Sequence, residues 1–199
     1  MKSNDFFYCI AGKNQIAIDG VNILLKYGIL KTRIIALINK TDDGVNSWQP
    51  SFKYYCQRKE IPIAKLSDLY NIENLVFISL EFDQLIHTSN FKTKWLFNIH
   101  FSKLPAFKGM YTSILPILHG DRESGVTLHF IDDGIDTGEI IDQLVFDLPS
   151  CCTGLRLYYL YLENGRMLLE RNIKNLISCE IKSVKQSRSN STYFAKSTI

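Results

Sequence analysis

Short apolar runs and longer helical stripes alternate along the first hundred residues. Phe6-Phe7-Tyr8-Cys9-Ile10-Ala11 is an apolar run closed by Gly12 and reads as a buried strand entering a turn. Over residues 16–27 the apolar positions Ile16, Ile18, Val21, Ile23, Leu24 and Leu25 fall near one helical face. Residues 32–38 read as a second buried strand, 39–51 as a loop with Gly44 and Pro50, and 52–59 as a helix. Ile61-Pro62-Ile63-Ala64 predicts a short third strand and Leu75-Val76-Phe77-Ile78-Ser79-Leu80 a fourth. A short helix over 87–94 and a fifth strand over 96–101 follow. The second half changes character: 125–131 and 139–146 flank a Gly/Asp-rich connector and predict an antiparallel pair. Residues 153–177 carry the longest helical pattern, and 182–190 are polar, basic and Ser-rich. Strands alternating with helices predict an α/β fold: a mostly parallel sheet, helices on both faces, and an antiparallel pair in the second half. Ligands of such sheets bind outside the carboxyl ends of the strands.

Composition narrows the class. With 46% hydrophobic, 12% aromatic and 22% charged residues, the chain has enough apolar material for a core, which excludes wholesale disorder. Its 199 residues allow one domain. The net charge of +3 is the small remainder of 23 basic and 20 acidic residues, without the local excess of a nucleic-acid binder. No apolar run has the length of a membrane span. Lys2, Asp5 and Lys13 interrupt any signal-peptide pattern, so a cytoplasmic protein is expected. The five cysteines (Cys9, Cys56, Cys151, Cys152, Cys179) are odd in number and irregularly spaced, and reduced thiols are expected.

Three segments carry candidate chemistry. Asn98 and His100 stand two apart at the end of the fifth predicted strand and project to one face, a carboxamide donor beside an imidazole. That pair suits a site that stabilises an oxyanion and moves protons, although alone it also fits a solvated strand end. Asp132-Asp133-Gly134-Ile135-Asp136-Thr137-Gly138 reads by itself as an Asx/Gly turn, and it lacks the spacing of a calcium loop. Leu104-Pro105-Ala106-Phe107-Lys108-Gly109-Met110-Tyr111-Thr112-Ser113 is a shaped loop feeding a helix that begins near Thr112. Among the other histidines, His119 is placed at a helix end, His87 at the surface, and His129 as a packed neighbour of the site. A metal centre from His100, His119 and Asp136 lacks helical ligand spacing, and no metal is expected.

Together these segments resemble the folate-dependent formyltransferases. Asn98-Ile99-His100-Phe101-Ser102-Lys103-Leu104-Pro105 is similar to that family's N-[IV]-H-x-S-x-L-P signature, and Asp136, 38 positions after Asn98, stands where the family places its catalytic aspartate. The resemblance implies a Rossmann-like catalytic domain over 1–180, followed by a polar linker or tail over 181–199 where the family's usual dimerising domain is absent. That leaves homo-oligomerisation open. It implies Asn98, His100 and Asp136 as catalytic residues and N10-formyltetrahydrofolate as co-substrate. Asn98 and His100 would stabilise the oxyanion, and Asp136 would charge-stabilise the imidazole and accept the amine's proton. The pterin end is expected against Phe82, Asp83, Gln84, Leu85, Ile86, Asp132, Asp133 and Gly134.

Within the family, Ala11-Gly12-Lys13-Asn14 and the stretches 108–113 and 125–143 look most like the sugar-nucleotide N-formyltransferases of surface polysaccharide (O-antigen) biosynthesis. The acceptor implied is a dTDP-linked amino-dideoxy sugar, the 4-amino-4,6-dideoxyglucose form being the reference case. Gly12, Lys13 and Asn14, with Lys108, Gly109, Met110, Tyr111 and Thr112, are the expected nucleotide-sugar contacts. Gly12 before a helix could seat an anion but is no dinucleotide fingerprint. Neither a nucleic-acid nor a membrane partner is expected. Methionyl-tRNA and glycinamide ribonucleotide formyltransferases share the signature and stand as alternatives, as does a poorly active ligand-binding remnant.

Overall fold

The computed structural model describes residues 6–198. Lys2 and Asp5, on which part of the leader reading rests, and Ile199 lie outside the described residues. Six strands form one sheet: β1 (Phe7–Gly12), β2 (Ile34–Ile38), β3 (Leu75–Leu80), β4 (Leu96–His100), β6 (Glu123–Phe130) and β7 (Ile140–Asp147), in the order β2-β1-β3-β4-β6-β7. The first four are parallel, and β6 and β7 add antiparallel at one edge. Two short strands, β5 (Lys108–Gly109) and β8 (Tyr193–Phe194), pair separately.

Helices α1 (Asn14–Lys26), α2 (Phe52–Lys59) and α4 (Gly154–Ser178) cover one face, while α3 (Leu115–Leu118) is a single turn. Period-two alternation in the strands decides which residues meet them. Tyr8, Ile10, Val76, Ile78, Phe97, Ile99, Val126 and Leu128 face the helices and join Ile16, Leu24, Leu157, Tyr161, Leu168 and Ile173 in the main core. Cys9, Ala11, Leu37, Leu75, Phe77 and Leu96 point the other way. Turns of 3-10 helix at Leu66–Leu69 and Thr88–Asn90, together with Phe82, Ile86, Phe91 and Ile131, close that face. Both faces are thus covered, one by α-helices and the other by turns.

The predicted strand at 61–64 is a single bridge, Ala36 to Ile63, because Pro62 has no N–H to continue a ladder. The predicted helix over 87–94 shrinks to one 3-10 turn. Thr88, Ser89, Asn90 and Thr93 compete for backbone groups, and Thr93 Oγ1 donates to the Leu75 carbonyl at 2.7 Å. The polar stretch after α4 runs back across the molecule. Val184 bridges Ile140, and Lys108 N and Met110 N donate to the carbonyls of Thr192 and Phe194.

Candidate active site

Strand parity assembles the site. Asn98 pairs with His129 across β4 and β6, and His100 with Thr127, so Asn98, His100 and His129 share the face turned away from the helices. Opposite Leu128 and His129 a bulge leaves Ile141 of β7 unpaired. The loop after β6 then curls back over this face and sets the Asp136 carboxylate among the three side chains. Its Oδ2 lies 3.4 Å from His100 Nδ1 and accepts the Gly109 N–H at 2.9 Å. Its Oδ1 accepts from Asn98 Nδ2 at 3.3 Å and lies 3.6 Å from His129 Nε2.

The carbonyls fix the imidazoles. His100 Nε2 is 2.8 Å from the Phe107 carbonyl, so Nε2 carries the hydrogen and Nδ1 faces Asp136. His129 Nδ1 donates to the Phe130 carbonyl at 2.7 Å, which leaves Nε2 to accept from Asn98 Nδ2 at 3.1 Å. His129 therefore orients the Asn98 amide directly. Burial lowers the His100 pKa, against the raising influence of Asp136 and the Phe107 carbonyl, so the ring is neutral at rest. For Asp136 burial works upward, but His100, His129 and the Gly109 N–H outweigh it and hold the carboxyl well below the usual range.

The two segments expected to wall the pterin are brought together. Phe82 and Ile86 pack on the sheet face below the site, and Thr88 Oγ1 donates to Asp133 Oδ1 at 2.6 Å, tying the segment after Ile86 to the Asp136 loop. Asp132 Oδ1 accepts from Gly134 N and Thr137 Oγ1, which shapes that loop from within. Asp83 instead accepts the Lys40 N–H, and Leu85 is 67% exposed. Gln84 is partly buried, and among the described residues its side chain makes no hydrogen bond that would fix it in the wall.

The expected nucleotide-sugar residues form two groups. Lys108, Gly109, Met110, Tyr111 and Thr112 lie on the loop beside Asp136. Lys108 is buried, and its Nζ donates to Ser191 Oγ at 3.1 Å, with no carboxylate within ion-pairing distance among the described residues. Gly109 has φ +86, and a Cβ there would stand 2.3 Å from the Phe194 carbonyl oxygen. Tyr111 Oη donates to the Lys196 carbonyl, and the Thr112 carbonyl accepts from Tyr161 Oη. Gly12, Lys13 and Asn14 stand at the carboxyl end of β1. A Cβ on Gly12 would lie 1.9 Å from the Leu80 carbonyl oxygen, so glycine there serves the close approach of β1 to β3.

Asn14 leads to a cluster that periodicity does not reveal. Its Nδ2 donates to Tyr158 Oη at 2.9 Å, and Tyr158 Oη donates to Glu81 Oε2 at 2.8 Å. Burial raises the Glu81 pKa although Tyr158, Lys13 and Asn14 pull it down. His119 caps α3 with its ring against Phe107 and Phe194, and His87 is exposed. Among the described residues no three His, Cys, Asp or Glu side chains are arranged to hold a metal ion.

An open, mostly parallel sheet with a carboxamide, an imidazole and a buried carboxylate gathered at its fourth parallel strand defines a Rossmann-like formyltransferase domain. A family model described as formyl transferase matches residues 69–154, which include all three side chains. The structure of WlaRD, a sugar 3N-formyl transferase with dTDP and 5-N-formyl-THF, is 46% identical with a TM-score of 0.96, covering 98% of this chain and 71% of that one. An N-formyltransferase from Helicobacter canadensis, in complex with folinic acid and dTDP-3-aminofucose, is 42% identical with a TM-score of 0.96, covering 98% and 72%. This chain belongs to the formyl transferase family. Among curated relatives, methionyl-tRNA formyltransferase of Synechococcus is 29% identical over 152 residues, 75% of this chain and 45% of that protein. The trifunctional purine biosynthetic protein adenosine-3 of Chironomus tentans is 36% identical over 116 residues, 57% of this chain and 8% of that protein. The chain thus spans less than half the length of these curated relatives.

Proposed function

We propose that this protein transfers a formyl group from N10-formyltetrahydrofolate to the amine of a dTDP-linked amino-dideoxy sugar. The observation that carries the reading is the Asn98–His100–Asp136 constellation, on a chain 46% identical to a sugar 3N-formyl transferase. The sequence pointed to the 4-amino sugar as reference case. Likeness now favours a 3-amino acceptor, because a 4-N formyltransferase from Francisella tularensis is only 18% identical and shares the fold alone. The reading includes a cytoplasmic setting; no described helix is long and apolar enough to cross a membrane.

In this mechanism the sugar amine attacks the formyl carbon, a C–N bond forms, and the carbonyl oxygen takes the negative charge. The Asn98 amide donates to that oxygen with the N–H that meets Asp136 Oδ1 at rest, its second N–H remaining on His129. The resting protonation states favour His100 over Asp136 as proton acceptor. The Asp136 carboxylate is held too acidic, whereas the neutral His100 ring keeps an unprotonated Nδ1, 3.4 Å from Asp136 Oδ2. The resulting imidazolium is stabilised by Asp136 and donates to the oxyanion. Collapse breaks the bond to N10, which takes the proton back. In this reading Lys108, buried with no carboxylate within ion-pairing distance among the described residues, meets the diphosphate, and Phe82, Ile86 and the 132–134 loop wall the pterin.

The test offers purified protein N10-formyltetrahydrofolate with, separately, dTDP-linked 3-amino and 4-amino sugars, glycinamide ribonucleotide and methionyl-tRNA, and reads products by mass. One formyl group gained by the 3-amino sugar nucleotide alone is expected. Transfer only to one of the last two acceptors would overturn the reading.

A further inference from the structure

Asp136 is held in its place by a residue far from it in sequence. The loop bearing it leaves the sheet where the Ile131 N–H meets the Leu96 carbonyl, at the amino end of β4, whereas His100 closes the other end of that strand. Four residues of strand span about 13 Å, so the loop has to reach back across the sheet face. It does so with Asp136 in the left-handed region, φ +54, a conformation that costs a non-glycine residue about 1 kcal/mol. Within the loop, Asp132 and Thr137 hold one end and Thr88 grips Asp133. The backbone around Asp136 itself is gripped by Gln186, whose Nε2 donates to the carbonyls of Asp136 at 2.9 Å and Gly138 at 2.8 Å.

The orientation of that amide is forced: turned over, Gln186 would set its oxygen against two carbonyl oxygens. The Oε1 it leaves behind is buried with no partner, a cost accepted so that both hydrogens serve the loop. The segment that carries Gln186 also holds the opposite wall. Thr192 Oγ1 accepts the Phe107 N–H at 2.7 Å, next to the carbonyl that fixes His100, and Phe194 stacks on Phe107 at 5.8 Å. We propose that Gln186 is a positioning residue for the reaction, holding the strained turn that aims the Asp136 carboxylate at His100 and at the Gly109 N–H. This rests on the proposed formyl transfer for its kinetic consequence but not for its structural one.

The test uses Gln186→Met, which matches the side chain in length and removes both N–H groups, with Ser187→Ala as a control, since that exposed hydroxyl meets only Ser189. Expected are a 10–100-fold fall in kcat, estimated as roughly one to two hydrogen bonds' worth of alignment, and KM values for both substrates within about threefold of wild type. In an Asp136→Asn background the same change should cost less than about threefold, because residues acting as a unit are not additive. In ligand-free protein the Gly109 amide proton, which donates to the carboxylate, should move upfield in Gln186→Met, as it also should in Asp136→Asn. Gln186→Ala supplies the same readouts if Met does not fold. An unchanged Gly109 amide would overturn the proposal whatever kcat does, and so would a full multiplicative loss on the Asp136→Asn background. If wild type formylates no sugar, the functional reading falls and the amide shift still decides the role of Gln186.

Discussion

Asp136→Asn separates charge from shape at the centre of the site. The substitution keeps an oxygen to accept the Gly109 N–H and leaves the loop's bonds to Thr88 and Gln186, and it gives up the 3.3 Å bond from Asn98 Nδ2 because an amide stands where Oδ1 accepted. What disappears is the negative charge 3.4 Å from His100 Nδ1. Two unit charges at that distance attract by about 5 kcal/mol at an effective dielectric near 20. In the proposed mechanism the His100 ring, neutral at rest, becomes cationic only as the proton arrives, so the attraction acts mainly on the transition state. Asp136 is slightly open to solvent, which reduces the figure to about 3–4 kcal/mol, or about 10²–10³-fold in kcat. The assay is steady-state formyl transfer, with calorimetric binding of the formyl-folate as a check that the pocket survives. A variant within tenfold of wild-type kcat would refute the argument that His100 gains its charge beside Asp136.

Three further outcomes follow from named contacts. Burial raises the Glu81 pKa in the folded state, so its contribution to stability is full below about pH 4.5 and is lost as pH rises through the raised value. Glu81→Gln should therefore gain in Tm relative to wild type between pH 5 and pH 8, and an equal difference at both ends would contradict the burial argument. Gly109→Ala forces a Cβ to 2.3 Å from the Phe194 carbonyl at φ +86 and displaces an N–H that serves Asp136. It should cost about 2 kcal/mol in chemical unfolding and at least tenfold in kcat. Thr127 Oγ1 donates to the Ser102 carbonyl and accepts from Leu104 N and Gln143 Nε2, all in a fully buried spot. Thr127→Val should lower stability by about 3 kcal/mol in urea titration through stranded polar groups.

Much of the architecture was legible because it is local. β3 follows from a six-residue apolar run and α4 from its long apolar stripe, and α2 stands at the 52–59 the sequence predicts. Asn98 and His100 sharing a face is a consequence of their spacing alone, and the motif resemblance supplied Asp136. What stayed hidden is carried by contacts between distant parts of the chain. Glu81 meets Tyr158 77 positions away, and Gln186 meets Asp136 50 positions away. A Ser-rich polar stretch has no periodicity from which such bonds could be read, and its composition suggests solvation. The closeness of His129 to Asn98 depends on the register of β6 against β4, which the local pattern does not encode.

The sheet topology explains why this site needs holding from outside. Asn98 and His100 come ready-made, two residues apart on a central strand that is hydrogen-bonded on both sides. Their mutual geometry is as rigid as the sheet. The carboxylate has no such scaffold, because β6 runs antiparallel to β4 and delivers the following loop to the wrong end of the strand. Bringing Asp136 back requires a positive φ and bonds to three separate places: Thr88, the Gly109 backbone and Gln186. Each of these is a loop contact that can open without disturbing the core. Catalytic power should therefore be more fragile than the fold. Substitutions in the residue 184–194 segment are expected to reduce turnover well before they reduce the unfolding free energy, whereas substitutions in the strand residues beneath the site should lower both together.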